Sequence, residues 1–193
     1  MSYLWSFSTF NADRLVALFS DPGGEATARL VELTGWDGAG FDDAGFAASV
    51  AASFVASGLS YEGLDSRTTG VADAVVMLIF SPEGFERELE EEHLSDEGVH
   101  PLEIKELLSR APDARVLPVL VSGRRAGQEE PSRCEYCILS PDEVAGLLDE
   151  IETALAADRP WPTEDGRKTV EAYLRPPLQV AHAEGRWVYA QLS

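Results

Sequence analysis

The sequence predicts an α+β fold: a helix-rich single domain, residues 1–193, built around a small mixed or antiparallel sheet that includes both terminal strands. Three observations carry that expectation. Both ends alternate large apolar residues with small or polar ones, the period of a half-buried strand. The stretches between them space their apolar residues three and four apart, the period of a helix face. With 193 residues, 45% hydrophobic and 25% charged, the chain has the length and balance to bury one sizeable core.

At the start, Tyr3, Trp5 and Phe7 fall on one side of a strand and Ser6 and Ser8 on the other. At the end, after Gly185, Trp187, Tyr189 and Gln191 alternate with Val188, Ala190 and Leu192, and the two terminal strands are expected to pair. Asn11 is placed to cap a helix carrying Leu15, Leu18 and Phe19. Pro22-Gly23-Gly24 stops it before a second helix with Leu30, Val31 and Leu33. Phe46, Val50 and Phe54 recur every four residues in an uncharged stretch whose alanines and serines permit close packing, so a core helix ending at Gly58 follows. Val71, Ala74, Val75, Leu78 and Ile79 keep the helical period. We read a helix there, although residues 75–80 would also suit a buried strand.

Residues 81–98 hold eight acids and one arginine, Arg87, behind a Ser81-Pro82-Glu83 start, and read as a solvated helix and acidic loop. Pro101 opens a short helix with Ile104, Leu107 and Leu108. Residues 116–121 are apolar and β-branched, but Pro118 argues against a central strand. An edge strand and a helix ended by Gly123 both stay open. Residues 134–139 read as a strand. Ser140-Pro141-Asp142-Glu143 is the clearest helix start in the chain: the serine caps, the proline takes the first helical position, and the glutamate sits where it reaches back. The helix it opens carries Val144, Leu147, Leu148, Ile151 and Leu155. Pro160-Trp161-Pro162 is a connector, and a final helix over 164–184 should kink or divide at Pro176-Pro177.

The charge narrows the function. Thirty-four acids against 15 Lys and Arg give a formal net charge of −19, which repels a nucleic-acid backbone and an anionic membrane surface alike. The N-terminus lacks the basic residues and small-residue cleavage site of a secretory signal, and no stretch is apolar enough to span a bilayer, so a cytoplasmic protein is expected.

Three constellations carry possible chemistry. Cys134 and Cys137 form a C-x-x-C pair that can ligate a metal or make a redox couple, but no second ligand pair stands at zinc-finger spacing, and free thiols are the simpler reading. Arg124, Arg125 and Arg133 gather near Gly123 and Gly127. They suit a bound carboxylate or phosphate, or else pair with the chain's own surplus acids. Tyr61 and Glu62, between Gly58 and Gly63, either line a pocket mouth or simply make a turn. No phosphate loop, dinucleotide fingerprint, zinc-protease motif or nucleophile elbow occurs, so no catalytic residue and no cofactor are expected.

The opening strand running into Asn11-Ala12-Asp13-Arg14-Leu15, the closing segment 173–193 and the entry Ile138-Leu139-Ser140-Pro141-Asp142-Glu143-Val144 resemble the YfbM-like family of small bacterial proteins. The resemblance implies an α+β domain with helices around a small sheet and transfers no catalytic residue. The leading functional expectation is a non-catalytic interaction protein with a basic partner, of which a toxin-neutralising immunity protein is one case. The competing classes are an enzyme with a pocket assembled from Tyr61, Glu62, Arg124 and Cys134, and a small structural zinc protein.

Overall fold

The first and last strands are neighbours in one sheet. In the computed structural model, which describes residues 4–35, 44–80, 99–128 and 130–192, β1 (Trp5–Phe10), β2 (Tyr136–Leu139) and β3 (Trp187–Leu192) form one sheet in the order β1-β3-β2. More exactly, β1 pairs with β3, with Phe7 opposite Ala190, and β2 pairs with the other edge of β3, with Cys137 opposite Ala190. The sheet is therefore antiparallel throughout, and the chain's end is its central strand. Trp5 also exchanges two backbone hydrogen bonds with Val99, at 2.8 and 3.0 Å, on the far edge of β1.

The described residues divide into two compact units. The first comprises residues 4–10, 99–125 and 130–192. Its helices are α5 (Pro101–Arg110), α6 (Leu117–Ser122), α7 (Pro141–Ala156), α8 (Glu164–Thr169) and α9 (Arg175–Ala183), with a π-helical turn, Val170–Leu174, before the last. Period-two alternation puts Trp5, Phe7, Cys137, Leu139, Val188 and Ala190 on one sheet face, all buried in a core with Ile104, Leu107, Val144, Leu147 and Ile151. Each such large aliphatic side chain contributes about 2 kcal/mol by leaving water.

The second unit, residues 11–35, 44–80 and 126–128, is helical: α1 (Ala12–Phe19), α2 (Glu25–Gly35), α3 (Ala44–Ala56) and α4 (Ser66–Phe80). Asn11 caps α1 by accepting a hydrogen bond from Arg14 N–H at 3.1 Å. Ala47, Ala48 and Ala51 are buried on α3, where their small side chains let α1 and α4 pack close. Residues 75–80 are helical.

One expectation changes and two others resolve. The strand read over 134–139 begins only at Tyr136, because Arg133 has φ of 54°, a left-handed backbone that breaks an extended run just before Cys134. Residues 117–122 are helix, ended by Gly123 at φ 71°. Glu150 of α7 explains this: its carboxylate accepts from the N–H groups of Arg115, Val116 and Leu117 at 2.6, 2.9 and 2.8 Å, satisfying donors that a six-residue helix leaves open. The last helix does divide. Pro176 and Pro177 cannot donate to carbonyls one turn back, and the break is absorbed upstream, where Arg175 N–H reaches the Val170 carbonyl in a π-type bond. The acidic stretch 81–98 and Tyr3 lie outside the described residues.

Candidate functional site

The first turn of α5 and the connector before α8 enclose a groove of about 470 Å³ within the first unit. Pro101 starts α5, and His100 caps it: the His100 ring Nδ1 accepts from Leu102 N–H at 3.1 Å, and Glu103 Oε2 accepts from His100 N–H at 2.9 Å. That box fixes Glu103 at the groove rim. One turn on, Glu106 holds Arg110 Nε at 2.9 Å. Arg110 then donates to the carbonyls of Arg159 and Pro160, both at 2.8 Å, and lies 4.2 Å from the centre of the Trp161 ring. A fully buried guanidinium thus clamps the Pro160-Trp161-Pro162 connector against α5 and holds Trp161 in the groove wall. Leu102, two-thirds exposed, and Pro162 complete an apolar lining under the carboxylates.

The residues singled out in the sequence are placed as follows. Arg124 is turned inward: it donates to Glu143 from both terminal nitrogens, at 2.5 and 2.9 Å, and to the Ile138 carbonyl at 2.7 Å. Of the two readings of the arginine group, the geometry gives Arg124 to the chain's own carboxylates. Arg125 and Arg133 are exposed, and the Arg125 N–H donates to Ser132 Oγ at 2.8 Å. Burial pushes the Glu143 carboxyl up, but the Arg124 hydrogen bonds, the Ser140 N–H and the guanidinium charge outweigh it, and the group ends below its ordinary value.

Cys137 faces the core, where burial pushes its thiol up to about 12. Cys134, half-buried, lies outside the strand, its Sγ 3.1 Å from the Tyr136 carbonyl and 3.5 Å from Ser132 Oγ. Both are free thiols, and among the described residues no three His, Cys, Asp or Glu side chains converge as a metal site. Tyr61 and Glu62 belong to the second unit. The Tyr61 hydroxyl donates to Asp73 Oδ1 at 2.8 Å and its ring stands edge-on to Phe54, 5.1 Å away, while Glu62 is exposed beside a turn in which its N–H reaches Ser60 Oγ. Tyr61 is thereby a packing residue of its own unit.

Sequence reading missed Arg110, His100 and Glu103. The signals were present as an acid four residues before Arg110 and a glutamate three residues after His100, behind a proline. No family model, curated protein or solved structure matches the chain. Among the described residues no helix is long and apolar enough to cross a membrane.

Proposed function

We propose that this is a non-catalytic cytoplasmic binding protein for a basic protein partner, an immunity-like role being one form of it, and that its likeness to the YfbM-like family reflects shared descent. The observation that carries the reading is the net charge of −19 taken together with where the cations go. The side chains of Arg110 and Arg124 are 0% and 11% exposed and pair with Glu106 and Glu143, so these two ion pairs are neutral and the whole excess of acid is carried by the remaining side chains. A field of that sign steers basic partners inward and repels nucleic acid and anionic lipid.

The groups nominated for an enzyme pocket favour the same reading. Arg124 is held by Glu143, the Tyr61 hydroxyl by Asp73, and the Cys134 thiol lies against the Tyr136 carbonyl. The test is fluorescence anisotropy with a labelled lysine-rich peptide and an acidic counterpart of equal length. Binding of the first alone is expected; equal binding of both, or of neither at low ionic strength, overturns the reading.

A further inference from the structure

We propose that the Trp161 groove receives one long basic side chain, lysine or arginine, of that partner. This inference rests on the binding reading above and gives it a location. The groove has the two halves that such a side chain needs. Its lining of Leu102, Trp161 and Pro162 is apolar and suits a methylene stem, and its rim carries Glu103 and Glu106.

The carboxylates have capacity left. Glu103 uses Oε2 on the His100 N–H and Glu106 uses Oε1 on Arg110, while Glu103 Oε1 and Glu106 Oε2 accept no hydrogen bond among the described residues. A cationic head arriving over the rim meets two oxygens already fixed in place by their own internal bonds, so little side-chain entropy is lost on binding. The groove is also rigid where it matters. Trp161 is held from behind by the buried Arg110 guanidinium, and that same cation is out of reach of a ligand, so it attracts no anion. Leu102 is two-thirds exposed with a hydrated apolar face, and the stem of a bound side chain would cover it.

The experiment is an NMR titration of the whole protein with three peptides of one length, bearing lysine, arginine or norleucine at the same positions. It follows the Trp161 indole N–H, assigned with W161F, beside the overall affinity from calorimetry. Two surface variants accompany it: E103Q, which keeps the capping acceptor but removes the charge, and L102K, which sets a competing cation at the mouth. The lysine or arginine peptide, or both, should move the Trp161 resonance, and norleucine should not; the two arms identify the preferred head. E103Q should weaken binding about fivefold, and L102K by at least that much. If a basic peptide binds without moving Trp161, and both variants bind as the wild type does, the groove is not the site although the binding reading stands. If no basic peptide binds at low ionic strength, both fall.

Discussion

Arg124 and Glu143, 19 residues apart, form a forked pair in which the two terminal guanidinium nitrogens reach the two carboxylate oxygens, at 2.5 and 2.9 Å. The same Glu143 closes the capping box of α7 by accepting from Ser140 N–H at 2.9 Å, and Arg124 N–H bonds the Tyr136 carbonyl at 2.8 Å. One ion pair therefore joins the exit of α6, the last part of β2 and the entry of α7.

Replacing Glu143 by Gln should cost about 3 kcal/mol in urea unfolding at neutral pH, because it leaves a mostly buried guanidinium without its counter-charge. The folded-state carboxyl is depressed, so its contribution is complete above the ordinary value of 4.5 and is lost as pH falls through the lowered folded value. The stability difference between wild type and E143Q should accordingly shrink on acidification below about pH 4.5. A difference that stays constant through that window would show that the charge of Glu143 is not what matters.

Arg110 should not tolerate lysine. An ammonium cannot serve Glu106 and the carbonyls of Arg159 and Pro160 at once, nor stack on Trp161, and R110K should lose about 2 kcal/mol or more. Thermal unfolding, read together with Trp161 fluorescence, checks this; an unchanged midpoint would mean that the connector is held by packing alone.

Two glycines with nearly equal φ should behave differently. Gly123 has φ of 71°, and a Cβ there runs into the backbone carbonyl of Cys134; Gly63 has φ of 77° and open space around it. G63A should cost about 1 kcal/mol from backbone strain alone, whereas G123A should prevent stable folding. Comparable unfolding midpoints for the two variants would show that the Gly123 turn can move away from Cys134.

The two thiols should separate by reactivity. Cys137 is fully buried with its thiol pushed up to about 12, so a thiol reagent at mildly alkaline pH should modify Cys134 in the native protein and reach Cys137 only after denaturant is added. Two equally fast thiols in the native state would refute this placement.

What the sequence disclosed follows the range of the interactions. The pairing of the terminal strands was legible because alternation over six residues is a local signal, and so was the Ser140 cap, whose parts lie within three residues. Residues 116–121 were not, because a short apolar β-branched run suits both structures and the carboxylate that decides it, on Glu150, is more than 30 residues away. The second partner of Glu143 and the carbonyls around Arg110, 49 and 50 residues on, were hidden for the same reason. The Trp161 groove needed both: its capping box is local, but its wall exists only once Arg110 has reached the connector.

The most direct measurement is the salt dependence of affinity for a lysine-rich peptide, taken at roughly 20 mM and 300 mM salt, since surface charges are screened over that range. A protein that works by presenting its acids to a basic partner should bind at the low value and lose more than about tenfold in affinity at the high one. Affinity that is absent at low salt, or indifferent to the change, would contradict it.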